Sequence, residues 1–299
     1  MSTHHPQQRQ ALRQRITSGP TFWFAGAQDA LSALLVDQSD FDGVFSTGFG
    51  VSASLLGQPD MELYTLSENL QVVDHMANVV RKPIFADCDT GYGNVLNVAR
   101  TVRSFEKAGV AALSIEDQIS PKRCPAAAAV SLVVPVADAV ARIRAAVDAR
   151  TDPNLLIVAR TDVADPGEAI ERACRFAEAG ADLVQPISRT FSSYDDLVRL
   201  REASGRRLSL QLMEGTWMAK LDRAQIESVA AFATYPIVTL LTIAHAMQAN
   251  LAALAAKRGA PMGELPVGRT TMADFKHLIG WHTLEERQNH YELGGRHGA

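Results

Sequence analysis

Residues 103–117 read RSFEKAGVAALSIED, and residues 174–188 read CRFAEAGADLVQPIS. Each stretch ends an amphipathic helix, stops it with Ala-Gly and enters a short apolar run. Glycine just past a helix end supplies the left-handed cap. An apolar run without polar alternation reads as a strand buried on both faces. Helix, glycine stop and buried strand, repeated, are what a parallel (β/α) barrel uses once per unit.

Working outward, the chain holds eight such runs: TFWFAGA (21–27), GVFSTG (43–48), PIFADCD (83–89), AALSIED (111–117), LLIVARTD (155–162), DLVQPIS (182–188), RLSLQLME (207–214) and FATYPIV (232–238). Helical periodicity fills the intervals. Over 97–108, Val98, Val102 and Phe105 share one face, and residues 136–149 repeat the pattern. The expected fold is an α/β (β/α)8 TIM-type barrel over 19–258, with an N-terminal extension over 1–18 and a C-terminal helical extension over 259–299. In that extension KRGAPMGELP (257–266) reads as a loop, and MADFKHLIGW (272–281) and TLEERQNHYEL (283–293) as two helices. The alternative is an open doubly wound sheet, but no G-x-G-x-x-G follows the first strand.

The 299 residues are 47% hydrophobic and 21% charged, with a formal net charge of −4, which suits one large globular unit. No basic face or arginine block is present, so nucleic acid is not an expected partner. No apolar run reaches the roughly 18 residues of a membrane span, and the N-terminus lacks a signal-peptide core. Cys88, Cys124 and Cys174 are odd in number and widely spaced, which points to a reducing, cytoplasmic setting without disulfides.

Polar residues gather at the C-terminal ends of the strands, the mouth of a barrel, where loops build active sites. Asp87 and Asp89 end the third strand, Glu116 and Asp117 the fourth, Arg160 and Asp162 the fifth, and Gln211 and Glu214 the seventh. In FADCDTGYGN (85–94), strand alternation would point Asp87 and Asp89 the same way. Two close carboxylates repel unless a cation or proton lies between them. Oxygen ligands without histidine favour a hard cation such as Mg²⁺, with Mn²⁺ as the alternative. The bland reading of one such Asp is a turn or a helix cap; three on consecutive strands argue for a site. In IEDQISPKRCP (115–125), Lys122 and Arg123 precede Cys124, and positive charge lowers a thiol pKa. Cys124 is therefore a candidate general acid or base, or a cysteine with no role. Cys88 should face away and pack, and Cys174 should be core. The small residues of FSTGFGVSAS (45–54) aim backbone N–H groups where an oxyanion could sit. His75 and His245 read as helix positions.

Together, FSTGFGVSASLLGQPD, ADCDTGYGN, SIEDQISPKRC, IVARTD and ATYPIVTLL resemble, in order and spacing, the isocitrate lyase / phosphoenolpyruvate mutase superfamily. The resemblance covers roughly residues 20–255 and is nearest the methylisocitrate lyase, dimethylmalate lyase and carboxyphosphonoenolpyruvate phosphonomutase branch. It implies a barrel with Mg²⁺ and a small carboxylic acid at its mouth, and a homotetramer, a dimer of dimers with C-terminal helices swapped between subunits. It further implies Asp87 as the direct metal ligand, with Asp89 and Glu116 binding through water. Thr47 and Gly48, in the strand end that begins at Ser46, would hold a carboxylate through backbone N–H groups. Arg160 would neutralise keto-acid oxygens, and Gln211 and Glu214 would contact substrate. Asp60 would sit over the reacting carbon, with Lys122, Arg123 and Cys124 on a gating loop.

The sequence also departs from that pattern. Pro125 and Ala126 stand where the lyases carry Gly-His, Ile187 where a glutamate is usual, and Gln211 where an asparagine is usual. The metal half is intact and the half facing the leaving fragment is altered, so a dicarboxylate leaving group such as succinate fits less well than a more apolar one. The implied activity is a Mg²⁺-dependent carbon–carbon lyase acting on a methylisocitrate- or alkylmalate-like 2-hydroxy- or 2-keto-carboxylate and releasing an α-keto acid such as pyruvate. Rival readings are an oxaloacetate-type decarboxylase, a phosphonomutase, and a non-catalytic barrel that binds keto acids.

Overall fold

A computed structural model describes residues 5–124, 131–258 and 263–294. Eight parallel strands close into a barrel in chain order. They are β1 (Phe22–Ala27), β2 (Gly43–Ser46), β3 (Ile84–Asp87), β4 (Ala112–Glu116), β5 (Leu156–Thr161), β6 (Leu183–Pro186), β7 (Leu208–Gln211) and β8 (Ala230–Tyr235). Closure is made by β1 on β8, with Phe22 opposite Phe232 and Ala25 opposite Tyr235. All eight strands fall on the apolar runs of the sequence.

Around the barrel run α1 (His5–Ser18), α2 (Ala30–Asp37), α3 (Gly48–Leu56), α4 (Leu66–Ala77), α5 (Val95–Ala108), α6 (Val136–Ala149), α7 (Pro166–Glu178), α8 (Tyr194–Ser204) and α9 (Arg223–Val229). Local chemistry sets their ends. Asp29, Thr65, Asn94, Ser193 and Asp222 each begin a helix with a reciprocal capping box. The glycines of the repeat behave as their positions require: Gly109 caps α5 at φ 101°, and Gly180 follows α7 at φ 98°.

The barrel interior is a packed plug. Phe24, Phe45, Phe85 and Phe232 meet with ring centroids 4.9–5.7 Å apart, joined by Leu156, Val158 and Leu183 from the opposite wall. Leu12 of α1 belongs to the same cluster. Buried Arg9 fixes α1 under the strand starts, its Nε donating to the Val110 carbonyl at 2.8 Å. The N-terminal segment thus plugs the floor, and the mouth is left for polar side chains.

By contact the chain divides into two units, Met1–Leu241 and Thr242–Ala299. The division falls inside α10 (Val238–Ala256). The second unit adds α11 (Met272–Leu278) and α12 (Trp281–Gly294), the two helices expected there. Asn250 ties α10 to the Val267 backbone through both ends of its amide. One expectation is corrected. α10 is long and apolar enough, by length and composition alone, to cross a membrane. Scattered Thr, His, Gln and Asn disguise it in the sequence, but none of its 19 residues is charged.

The barrel seam tolerates no side chain at Gly26, where a Cβ would lie 1.9 Å from the Pro236 carbonyl oxygen. Gly26→Ala should therefore lower unfolding free energy by about 3 kcal/mol, the upper part of the overpacking range, measured by urea denaturation.

Candidate active site

Lys122 organises the mouth. Its side chain is 1% exposed, and its Nζ lies 2.6 Å from Asp60 Oδ2 and 2.9 Å from Asp89 Oδ1. Asp89 also accepts from the Tyr64 hydroxyl at 2.7 Å. A second buried network surrounds Arg160, whose guanidinium reaches Glu116 at 2.8 Å and forks onto Asp162 with two bonds of 2.8 Å. Burial lowers the pKa of Lys122, but the surrounding carboxylates, Asp89 first, outweigh it and hold the ammonium well above its usual value. Asp60 is pushed up to about 6, chiefly by burial, with Lys122 opposing. Burial likewise raises Asp87 and, further, Glu116.

Asp87 and Asp89 come together, though not by strand alternation. β3 ends at Asp87, and Asp89 sits in the left-handed region at φ 49°. The Asp89 N–H turns back to Asp87 Oδ1 at 3.3 Å. Glycine at 48 makes room: a Cβ there would lie 2.7 Å from the Tyr64 hydroxyl and 3.1 Å from Asp87 Oδ2.

A cavity of about 140 Å³ opens beside this cluster. Thr47, Asp60, Asp87, Cys124, Arg160 and Gln211 all line it. Ser46 is fully buried next to them, its hydroxyl without a hydrogen-bond partner. The Thr47 N–H is not available to a ligand, because it donates to the Ala27 carbonyl at 3.2 Å. Gly48 opens α3 instead. A helix leaves its first N–H groups without partners inside the helix, and Thr47 provides no side-chain cap. The anion-binding expectation therefore moves from Thr47 to the first turn of α3.

Three further expectations are corrected. The side chains of Arg123 and Glu214 are exposed and do not line the cavity; after β7 that place belongs to Met213. Lys122 is no solvated loop charge beside a thiol, since its ammonium is spent on Asp60 and Asp89. Cys174, expected in the core, is only half-buried. Cys88 packs in the core as expected, His75 and His245 are exposed helix residues, and Pro125 and Ala126 lie outside the described residues.

Several contributors had no signal in the sequence. The Glu62 carboxylate accepts from the Lys122 N–H at 2.6 Å and from the Thr90 hydroxyl at 2.9 Å. The Cys124 N–H donates to the Asp60 carbonyl at 3.1 Å. Segment 60–62 therefore holds the cysteine segment at both its backbone and its lysine.

The chain has known counterparts. The phosphoenolpyruvate phosphomutase family matches residues 12–257. The 2,3-dimethylmalate lyase of Eubacterium barkeri is 34% identical over 90% of this chain and 93% of its own. An oxaloacetate acetylhydrolase structure, holding the inhibitor 3,3-difluorooxalacetate, superposes with a TM-score of 0.85 at 27% identity, covering 96% of this chain and 98% of that one. A phosphonopyruvate hydrolase complexed with oxalate and Mg²⁺ superposes at 0.84 with 26% identity, covering 95% and 99%. The chain belongs to the PEP mutase / isocitrate lyase superfamily.

Among the described residues, no three His, Cys, Asp or Glu side chains form a ready-made metal cage. Asp89 is committed to Lys122 and Tyr64, and Glu116 to Arg160. Of Asp87, Asp89 and Glu116, Asp87 lines the cavity, where Asp60 joins it. Buried Asp60 Oδ1 and Glu116 Oε1 have no hydrogen-bond partner. One inner carboxylate with outer oxygens suits Mg²⁺, which keeps several waters and takes one or two carboxylates. A fully caged ion is not what this donor set fits.

Removing one partner of a buried ion pair leaves its mate uncompensated, at about 3–5 kcal/mol. Lys122→Met should lose about that much in Mg²⁺-free buffer at pH 8. The folded pKa of Asp60, about 6, lies above its ordinary 3.8. Its contribution is thus fully present below pH 3.8 and is lost as pH rises through 6. Lys122 opposes that shift, so the deficit of the variant should shrink at pH 5, as urea denaturation at the two pH values would show.

Proposed function

We propose that this enzyme is a carbon–carbon lyase that cleaves a 2-hydroxy- or 2-keto-carboxylate of alkylmalate type and releases an α-keto acid such as pyruvate. The observation that carries the reading is the meeting of Asp87, Arg160, Asp60 and Cys124 on one cavity. It is supported by the likeness to a dimethylmalate lyase over nearly the whole chain.

The carboxylate head of the substrate lies at the first turn of α3, against Gly48. Arg160, fixed by Glu116 and Asp162, presents its charge to the oxygens at C1 and C2. Mg²⁺ would be held by Asp87, with Asp89 and Glu116 as outer oxygens, and would supply Lewis-acid polarisation of the oxygens at C1 and C2. Asp60, titrating near 6, takes the proton of the 2-hydroxyl. The C2–C3 bond breaks, its electron pair stays on C3, and the Cys124 thiol delivers a proton there. Buried Lys122 holds Asp60 in place and is a positioning residue.

Decarboxylation and phosphorus–carbon chemistry are the rival readings, and they need no thiol. Cys124→Ser should therefore lower kcat on a dialkylmalate by about 10²-fold or more and leave oxalate binding intact. Unchanged turnover would remove the thiol from the mechanism. Oxalate with Mg²⁺ should raise the melting temperature, since a ligand bound only by the folded chain must stabilise it, and EDTA should abolish the rise. A metal-dependent shift without turnover on any 2-hydroxy- or 2-keto-acid would favour the non-catalytic reading.

The assembly is proposed to be a homotetramer acting in the cytoplasm. In the second unit Met247, Leu251, Leu284 and Tyr291 are more than half exposed. Such a concentration of apolar surface marks an interaction site, and the family resemblance favours a second copy over lipid as its partner. Sedimentation without detergent should give four times the chain mass of 32.3 kDa.

A further inference from the structure

The amide of Gln118, 1% exposed, joins two parts of the mouth that otherwise hang on separate anchors. Its Nε2 donates to Asp162 Oδ2, on the carboxylate that holds Arg160 with two bonds of 2.8 Å. Its Oε1 accepts from the Arg123 N–H at 3.0 Å, one peptide unit before Cys124. These partners dictate how the amide is turned. An ionised carboxylate only accepts and a backbone N–H only donates, so the nitrogen faces Asp162 and the oxygen faces Arg123. Glutamate in its place would set two carboxylates against each other, and an aliphatic side chain would give neither partner its bond.

The backbone that carries the amide is itself fixed. The Gln118 carbonyl accepts from the Arg142 guanidinium at 3.0 Å. Gln118 pairs antiparallel with Val133, flanked by the Ile119 N–H on the Leu132 carbonyl and the Val134 N–H on the Asp117 carbonyl, both at 2.9 Å. The neighbouring Asp117 carboxylate accepts from the Asp162 N–H at 2.9 Å. Asp162 is thus held by its backbone from Asp117 and by its side chain from Gln118. On the other side, Lys122, Arg123 and Cys124 donate three successive N–H groups to the Glu62 carboxylate, the Gln118 amide and the Asp60 carbonyl. Of these three acceptors, Gln118 is the one that also bonds Asp162.

Resting on the reading of Arg160 and Cys124 as the substrate-facing groups of a lyase, we infer that Gln118 is a positioning residue that fixes the spacing between the guanidinium and the thiol. Arg160 and Cys124 line the cavity and Gln118 does not, so it acts through Asp162 at one end and through the Arg123 backbone at the other. A thiol that protonates a fragment whose oxygens Arg160 holds must keep one distance from that guanidinium. A displacement of about 1 Å in such a constellation costs about 10²-fold in rate.

The test needs no turnover. Gln118→Met keeps the length and loses both bonds, and Gln118→Asn stays polar but is one methylene too short to span both partners. Two readouts are taken on the full chain well below its melting temperature. Calorimetric affinity for oxalate with Mg²⁺ reports the Arg160 end, and the rate of iodoacetamide alkylation at Cys124, located by mass spectrometry, reports the thiol end. Fully buried Cys88 in the same digest monitors general loosening. In Gln118→Met, oxalate should bind at least about threefold more weakly and Cys124 should react at least about threefold faster, the worth of an ordinary hydrogen bond, with Cys88 unchanged. Gln118→Asn should move both readouts the same way by less, which keeps the test decisive if the methionine variant does not fold. If either readout stays at the value of the unaltered chain, the amide does not join the two groups and the inference falls. A Cys88 rate that rises in step with that of Cys124 would reduce Gln118 to a support of the barrel and would also overturn it. Failure of oxalate to bind the unaltered chain would remove the lyase reading and this inference with it.

Discussion

Keeping several carboxylates ionised out of water is the constraint around which the mouth is built. Four of them, Asp60, Asp87, Asp89 and Glu116, are nearly or fully buried. For Asp60, Asp87 and Glu116 burial is the leading influence and favours the protonated form. Two caged cations oppose this in part. Lys122 is shared between Asp60 and Asp89, and Arg160 between Glu116 and Asp162. Asp60 and Asp87 both line the cavity, but Asp60 is held by Lys122, so Asp87 is where a cation would enter.

The barrel makes that pattern affordable in packing terms. Phenylalanines from β1, β2, β3 and β8 fill the interior beneath the mouth, and α1 plugs the floor. A solid interior fixes the strand ends to which the charged side chains are attached. Precise ion-pair geometry depends on such rigidity, because a buried pair held loosely loses more to desolvation than it recovers.

The sequence made much of this legible, for reasons that differ by residue. Buried strands announce themselves by continuous apolar runs, and all eight were readable. Asp87, Glu116 and Arg160 were readable because strand ends of a barrel converge by construction. Asp89 was placed correctly but for the wrong reason, since a left-handed turn rather than strand alternation brings it to Asp87. Glu62 and Tyr64 could not be found, because they act from loop positions whose partners are distant in sequence. Lys122 was read as a positive charge acting on Cys124, and only tertiary contacts reveal that its ammonium is paired with Asp60 and Asp89. The N–H of Thr47 was misjudged because its claim by Ala27 is a property of strand register. The uncharged length of α10 was hidden by polar residues that interrupt its apolar run without charging it.

The tether between Glu62 and the Lys122 backbone has a consequence for how such enzymes diverge. The thiol of Cys124 is carried on one stretch of chain, but its position is dictated by another, sixty residues earlier. Thr90 ties the same carboxylate to the turn that holds Asp89. Three loops from three successive βα units are thereby locked into one inherited module. Exchanging the cysteine loop alone between relatives would move the reactive group without the anchor that aims it, so these loops must change in concert for the thiol to keep its aim.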